Sequence, residues 1–384
     1  MTLFLLIYLS IYGGVHLYAF LKLKRGYALG IPAYLILAIF MILMVVAPIV
    51  VRISERHGYE VLARGLAYIG YTWMGLLFIF ISVSFFFDIY RLLHFLARML
   101  TRSPLEDFTL SLRNFCTLAI LCSLAVVIYG YFEALHIRTE HVTVKTCKIP
   151  EKIGRFRVVQ ISDIHLGLIV GKSRLERILR KVKDARPDIL VSTGDLVDGQ
   201  LDDLEILTDM FQNIPAPYGK FAITGNHEFY AGLDRALAFT EKAGFTILRG
   251  EGLTVSDLLN VAGVDDPAGK RYAPDRAASE KALLEKMPRE KFTLFLKHQP
   301  VISNESLGRF DLQLSGHTHK GQIFPFNLVT KLFYRMHTGL SKVNGNTLLY
   351  VSRGTGTWGP PVRFLSPPEV TVIDITYERK KQHG

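Results

Sequence analysis

Four long apolar segments without a charged side chain constrain this sequence more than any other feature. Asp, Glu, Lys and Arg are absent from residues 1–21, 26–51, 65–87 and 114–132. An uncharged apolar run of about 18 residues or more can cross the hydrocarbon core of a bilayer as a helix. No comparable run follows residue 138. The sequence therefore predicts a membrane domain, residues 1–138, followed by a water-exposed domain, residues 139–384. The predicted transmembrane helices lie at about 3–21, 30–51, 66–88 and 114–133.

The first apolar run is predicted to be a retained helix rather than a cleaved signal peptide. Signal peptides carry positive charge before their apolar core and small residues at the cleavage site after it. Here Lys22, Lys24 and Arg25 follow the run, and Phe20 and Leu21 occupy the place where small residues are needed. Residues 88–102 continue the third run with apolar pairs and cations at helical spacing. This pattern predicts an extension of the third helix along the membrane surface.

The cations in the short loops predict the orientation of the membrane domain. Cytoplasmic loops carry an excess of Lys and Arg. The loops after the first and third runs contain Lys22, Lys24, Arg25, Arg91, Arg98, Arg102 and Arg113. The Lys and Arg residues of the loop after the second run are only Arg52, Arg56 and Arg64. Seven cations against three place the first and third loops in the cytoplasm. The C-terminal domain is then expected outside the cytoplasmic membrane.

The C-terminal half alternates short β-branched runs with amphipathic helical segments. In residues 173–184, for example, Leu175, Ile178, Leu179 and Val182 form one apolar stripe. This alternation indicates an α/β sheet domain. The predicted strands are 156–162, 189–193, 220–224, 258–264, 292–297, 312–315, 348–352 and 370–376.

Polar side chains follow five of these predicted strands directly. They are Asp163 and His165, Asp195 and Asp198, Asn226 and His227, His298, and finally His317 and His319. Proteins of this class bind ligands beyond the carboxyl ends of their strands, so these groups are expected to meet in one crevice. Mixed imidazole and carboxylate ligands suit Mn, Fe or Zn better than Ca or Mg. Glycines precede several of these residues and permit a close approach of the backbone.

In this order, the motifs resemble those of the calcineurin-like metallophosphoesterase superfamily, over residues 150–376. The segments 129–134 and 352–364 are similar to the membrane-associated phosphodiesterase branch of that family, which includes YkuE, YaeI and the vertebrate transmembrane protein with a metallophosphoesterase domain. The resemblance implies a four-layered α-β-β-α sandwich. It also implies two divalent metal ions, with Mn²⁺ favoured and Fe or Zn as alternatives.

The resemblance also assigns roles to individual residues. Asp163, His165 and His319 would hold the first metal, and Asn226, His298 and His317 the second, with Asp195 bridging both. His227 would face the leaving group as a general acid or charge stabiliser. Asp198 would orient a ligand histidine or His227. From their position in the sequence we further predict that Arg353 and Lys320 contact substrate phosphate.

The expected activity is hydrolysis of a phosphodiester or pyrophosphate without a covalent enzyme intermediate. Residues 321–335 are strongly apolar and follow the last metal motif directly, which indicates either plain core or a lid that admits an acyl chain. A lipid-linked substrate is the leading hypothesis, for example a pyrophosphate of the UDP-2,3-diacylglucosamine type. A soluble nucleotide phosphodiesterase and a phosphoprotein phosphatase are alternatives. A membrane sensor or scaffold with an inactive phosphoesterase domain is an alternative of another class.

The net charge of +11 supports these hypotheses only weakly. A basic excess suits a domain near anionic lipid or an anionic substrate and does not choose between them. No nucleic-acid motif accompanies the charge, so no nucleic-acid partner is expected. The sequence predicts membrane lipids and a phosphate-containing substrate as partners, and it leaves the oligomeric state open.

Overall fold

A computed structural model of the chain describes residues 2–101, 110–199, 204–272, 279–345 and 347–379. The chain divides into two compact units. The first comprises Met1–Phe132 with Gly359–Val362, and the second comprises Glu133–Trp358 with Arg363–Gly384.

Long apolar helices make up the N-terminal part of the chain. They are α1 (Thr2–Gly26), α2 (Ile31–Arg56), α3 (Glu60–Thr101) and α4 (Leu112–Leu135). All four are long and apolar enough to cross a membrane, as the sequence predicts. With 42 residues, α3 is about 60 Å long, roughly twice the thickness of the hydrocarbon core. The third helix therefore continues as far as Thr101, and residue 102 lies outside the described residues. The course of this extension along the membrane surface stays a prediction.

Several polar side chains within the helices of the first unit have polar partners. The buried His16 contacts the Tyr12 carbonyl through Nδ1 at 2.7 Å, and its Nε2 accepts a hydrogen bond from Trp73 at 2.9 Å. Lys22 forms an ion pair with Asp88 at 2.6 Å. Unpaired polar groups are costly in lipid, so these pairs join α1 to α3 at little cost.

Two six-stranded sheets form the centre of the second unit. In spatial order the first contains β1 (Arg138–Thr146), β12 (Glu369–Tyr377), β2 (Arg155–Ile161), β3 (Ile189–Ser192), β4 (Lys220–Ala222) and β5 (Thr246–Ile247). The second contains β10 (Gly339–Asn344), β11 (Thr347–Val351), β9 (Leu312–Ser315), β8 (Phe292–Leu296), β7 (Leu259–Gly263) and β6 (Glu251–Val255). The eight strands predicted from the sequence are confirmed with small shifts at their ends. The sequence analysis did not predict β1, β5, β6 and β10.

The described part of the second unit also contains helices, several of which pack on the outer faces of the sheets. They are α5 (Lys172–Ala185), α6 (Leu204–Gln212), α7 (Asn226–Ala231), α8 (Leu233–Lys242), α9 (Glu280–Glu285) and α10 (Phe326–Phe333). Helices α5, α6 and α8 pack on the first sheet, where the predicted stripe of α5 is buried. On the second sheet, α9 packs through Leu283 and Leu284. A third apolar cluster, which includes Val158 and Leu294, joins the two sheets. These layers are the predicted α-β-β-α sandwich.

Parallel pairing brings the functional strand ends together. Strands β2, β3 and β4 run parallel to one another in the first sheet, as β8 and β9 do in the second. Parallel strands end at the same edge of a sheet, so the turns that follow them are neighbours.

Candidate metal centre

The turns after five strands carry all the predicted metal ligands, and the structure brings these residues together. One group consists of Asp163, His165 and His319, whose ligand atoms all lie within 4.8 Å of one another. The Nε2 atoms of His165 and His319 are 3.0 Å apart, and Asp163 Oδ1 lies 3.4 Å from His319 Nε2. All three residues are buried. This arrangement matches the predicted set for the first metal.

Asp195, His298 and His317 form a second group of the same compactness. His298 Nε2 is 3.2 Å from Asp195 Oδ2 and 3.2 Å from His317 Nδ1. Asn226 Oδ1 lies 3.0 Å from that same His317 nitrogen. Asp195 also belongs to a third group, with His165 and His227. Its carboxylate therefore lies between the two predicted metal positions, where a bridging ligand is needed.

The protonation of these side chains fits divalent cations. His298 Nδ1 lies 2.8 Å from the Thr193 carbonyl, which only accepts, so this nitrogen carries a proton and Nε2 is the ring nitrogen that faces Asp195 and His317. His165 Nδ1 is buried without a hydrogen-bond partner among the described residues. Nitrogen and carboxylate donors in this number match Mn, Fe or Zn.

Burial and close charges perturb the pKa values of these groups strongly. Burial raises the pKa of Asp163, and the neighbouring Asp195 carboxylate raises it further. Burial also favours the neutral form of Asp195, but the positive charges of His298 and His227 outweigh it and hold the pKa of Asp195 well below its usual value. For His298, burial lowers the pKa while the Asp195 charge raises it, and the charge dominates. The buried carboxylates and imidazoles of this crevice therefore perturb one another strongly.

His227 and Asp198 form a pair at the rim of the ligand groups. His227 Nδ1 is hydrogen-bonded to the Asp198 carboxylate, which also lies 3.8 Å from His165 Nδ1. Burial lowers the pKa of His227, but the charges of Asp195 and Asp198 outweigh burial and raise that pKa to about 9. Asp198 thus fixes the orientation of His227 and leaves its Nε2 available to a substrate.

Glu228 is a functional residue to which the sequence reasoning gave no role. Its buried carboxylate accepts hydrogen bonds from the backbone N–H groups of Asp195, Leu196, Val197 and Gly225, at 2.7–3.1 Å. It therefore holds the turn after β3 against the turn after β4. The available signal was its place in the Gly225–Glu228 motif, directly after two predicted site residues.

Arg363 is a second residue without an earlier role. It is fully buried, and its Nη2 lies 3.0 Å from Nδ1 of the ligand His319. The same guanidinium donates to the backbone carbonyls of Gly356 and Arg353, at 2.6 Å and 2.7 Å. Arg363 therefore ties the loop after β11 to the first ligand group. A cation within a short apolar segment was the only signal in the sequence.

Five of the predicted ligands adopt left-handed backbone conformations. Their φ angles are 52° for Asp163, 56° for His165, 51° for Asp195, 70° for His317 and 48° for His319. Such conformations cost about 1–3 kcal/mol each in residues other than glycine and are concentrated at functional sites. The preceding Gly316 is also required, because a Cβ there would lie 1.9 Å from Ser162 Oγ and 2.1 Å from Asp163 Oδ2.

Arg353 and Lys320, the two predicted phosphate contacts, have different surroundings in the structure. Arg353 pairs with Glu140 and lies 2.6 Å from the buried Glu369 carboxylate. Two carboxylates engage its guanidinium, and its contact with substrate phosphate stays a prediction. Lys320 follows His319 in the same turn, half-buried. Its contact with substrate phosphate stays a prediction.

Known proteins share this combination of fold and ligand turns. The model of the calcineurin-like phosphoesterase family matches residues 156–321. An uncharacterized metallophosphoesterase of Aquifex aeolicus is 40% identical over 248 residues, which cover 64% of this chain and 95% of that protein. The uncharacterized metallophosphoesterase Cj0846 of Campylobacter jejuni is 31% identical over 97% of this chain and 98% of its own length.

The chain therefore belongs to the calcineurin-like metallophosphoesterase family, and it is a phosphoesterase whose family uses divalent metals in a binuclear site. A transmembrane protein with metallophosphoesterase domain from Danio rerio is 31% identical over 310 residues, which cover 77% of this chain and 71% of that protein. Together with the four apolar helices, this similarity identifies a membrane protein of the family. The resemblance seen in the sequence is confirmed.

Proposed function

We propose that this membrane phosphoesterase hydrolyses a phosphodiester or pyrophosphate in a lipid-linked substrate. A pyrophosphate of the UDP-2,3-diacylglucosamine type is an example of such a substrate. The observation that carries the proposal is the exposed apolar surface of α10, which directly follows the metal-binding turn after β9.

Helix α10 presents apolar side chains to the outside along most of its length. Leu332 and Phe333 are 84% and 78% exposed, and Leu328 is 57% exposed. Within the helix only Thr330 is buried. These exposures support a surface role for α10, whereas Ile323, in the same apolar segment, is buried. Each 100 Å² of apolar surface left in water forgoes about 2.5 kcal/mol, so a contiguous patch of this kind marks a binding surface for an apolar group.

The patch is joined to the metal centre by direct contacts. The ring of Tyr334, which follows α10, lies 5.4 Å from that of the ligand His317. Thr318, between the ligands His317 and His319, donates a hydrogen bond of 2.7 Å to the His337 carbonyl. These contacts place α10 beside the ligand groups. One substrate molecule can therefore have its acyl chain on α10 and its phosphate at the ligand groups.

The residues of the site have distinct tasks in the proposed reaction. Asp163, His165 and His319 would hold one cation, and Asn226, His298 and His317 the other, with Asp195 shared. Two such cations, which we propose to be Mn²⁺, supply Lewis acidity for transfer of the phosphoryl group to water. His227, held through Nδ1 by Asp198, presents Nε2 toward the leaving group as an acid or charge stabiliser. Glu228 keeps the turn that carries Asp195 in place.

We also propose that the protein resides in the cytoplasmic membrane with its catalytic domain on the extracytoplasmic side. The excess of Lys and Arg in the loops after the first and third apolar runs supports this orientation.

The test is a substrate panel with detergent-purified, Mn-loaded protein. Lipid pyrophosphates are compared with matched short-chain analogues, soluble nucleotide diesters, monoesters and a phosphopeptide. We expect kcat/KM for the long-chain substrates to exceed that of the short-chain analogues by tenfold or more. Activity confined to soluble nucleotides or phosphopeptides would replace the lipid proposal with one of those activities. Lack of turnover on every substrate would favour a sensor or scaffold.

A double variant localises the effect to α10. Leu332→Ser with Phe333→Ser removes the two most exposed apolar side chains of the helix, so the long-chain preference should disappear. The matched control is Ile206→Ser, because Ile206 is also a helical residue and is 41% exposed. A long-chain preference that survives in the double variant would refute the assignment of α10.

A further inference from the structure

Two exposed aromatic rings flank His227 on the rim of the metal centre. The ring of Trp358 lies 5.5 Å from that of His227 with an interplanar angle of 72°, and the ring of Tyr230 lies 5.5 Å away at 68°. The two side chains are 55% and 53% exposed. Both rings therefore contact a predicted catalytic residue and still offer much of their surface to a ligand.

The position of Trp358 is fixed by its backbone. Gln322 donates a hydrogen bond to the Trp358 carbonyl at 2.8 Å and accepts one from the Trp358 N–H at 2.9 Å. Gln322 itself lies three residues beyond the ligand His319. The loop with the indole is thus tied to a metal-binding turn, and the ring is held ready rather than folded into the core.

We propose that Trp358 and Tyr230 form a binding subsite for a planar heteroaromatic ring of the substrate, namely the base of a nucleoside phosphate. Bases stack on aromatic side chains with little regard to their identity, because every base has a π-face. This inference rests on the proposed function and completes it. The surface of α10 takes the lipid, the ligand groups take the phosphate, and the aromatic rim takes the base.

An exposed tryptophan in a membrane protein also suggests an anchor in the lipid headgroups. Two observations favour the base instead. The indole contacts the ring of His227, which an anchor does not require, and its loop is bound to the turn after His319. The exposed apolar surface suited to lipid lies on α10, which reaches the metal centre through His317 rather than His227.

Fluorescence tests the subsite directly, because the chain contains only two tryptophans. Trp73 lies in α3, so the full-length Trp73→Phe variant reports on Trp358 alone. Uridine 5′-monophosphate and ribose 5-phosphate serve as probes of the Mn-loaded protein in detergent, since they share a phosphate and a ribose and differ in the base. We expect uridine monophosphate to quench the emission and ribose phosphate to leave it unchanged. The nucleotide should bind about tenfold more tightly.

Variants at Trp358 complete the test through the inhibition constants of the two probes. Trp358→Ala should bring the ratio of the two constants close to one, whereas Trp358→Phe, which keeps a ring, should retain most of it. Equal binding of both probes by the wild type, or an unchanged ratio in Trp358→Ala, would overturn the proposal. The dependence on acyl-chain length is measured separately with the α10 variant. Loss of the base preference and loss of the lipid preference are therefore distinguishable.

Discussion

Glu228 acts on the metal centre without facing it. Its carboxylate gathers four backbone N–H groups from two turns, including that of Asp195, the ligand shared by both groups. In the hydrogen bonds described, only backbone N–H groups donate to this buried carboxylate. The carboxylate therefore sets where Asp195 can lie.

We predict that Glu228→Gln weakens metal binding by about 10- to 100-fold, because the amide NH₂ would oppose one of the N–H donors and shift the Asp195 turn. Calorimetric titration with Mn²⁺ measures the change, and activity should partly return at high metal concentration. Glu241→Gln, on the exposed face of α8, is the control. Unchanged affinity in Glu228→Gln would show that the turn is held by other contacts.

At this scale the sequence predicted the groups that face the crevice and the orienting role of Asp198, but not the supporting roles of Glu228 and Arg363. Asp195 and His298 could be identified because metal chemistry requires their side chains at strand ends. The partners of Glu228 and Arg363 are mostly backbone groups, which carry no signature in the sequence. For Arg353, likewise, nothing in the sequence indicated the two carboxylates that surround its guanidinium in space.

The strands that the sequence did not predict are the four sheet edges. In the order of the two sheets, β1 and β5 are outermost in one, and β10 and β6 in the other. Edge strands are shielded on one side only and often carry polar residues, so they lack an uninterrupted apolar run. In β1, for example, Arg138–Thr146 includes Arg138, Glu140, His141 and Lys145. The central strands have such runs and were predicted.

A half-buried ion pair between neighbouring strands gives an element-scale prediction. Arg157 of β2 binds Asp374 of β12 through two hydrogen bonds, at 2.7 Å and 2.9 Å. The hydrogen bond from Arg157 lowers the pKa of Asp374. The folded state thus holds this proton more weakly than the unfolded state. The stabilisation is present above the unfolded pKa of about 3.9 and is lost as the pH falls through the folded value.

We expect Asp374→Asn to lower the free energy of unfolding by about 1–2 kcal/mol at pH 7, or by a few degrees in Tm. The difference from wild type should shrink as the pH approaches 3. Thermal unfolding in detergent with a chelator present measures this without a contribution from metal loss. Glu378→Gln is the control, since its partner Lys145 and Glu378 itself are mostly exposed, and such pairs contribute little. If the stability difference between wild type and Asp374→Asn were the same at every pH, the stabilisation could not be assigned to this ion pair.

At the scale of the whole molecule, the positions of the cysteines permit a test of the membrane orientation that the loop charges predict. Cys147 is an exposed free thiol in the catalytic unit, whereas Cys116 is buried and Cys122 half-buried in α4. If the catalytic domain lies outside the cytoplasmic membrane, a membrane-impermeant maleimide should label intact cells expressing the protein. Cys147→Ser should abolish this labelling. Labelling that requires permeabilised cells would place the domain in the cytoplasm.

The left-handed ligand turns have a consequence for how enzymes on this scaffold change their substrates. Five of the predicted ligands are fixed in backbone conformations that few residue types tolerate, so a mutation there would remove a donor atom and also strain the backbone. The exposed side chains of α10 and Trp358 carry no such constraint. Random mutagenesis would therefore find new specificities on the rim while the hydrolytic centre stays intact, and redesign of this enzyme should begin there.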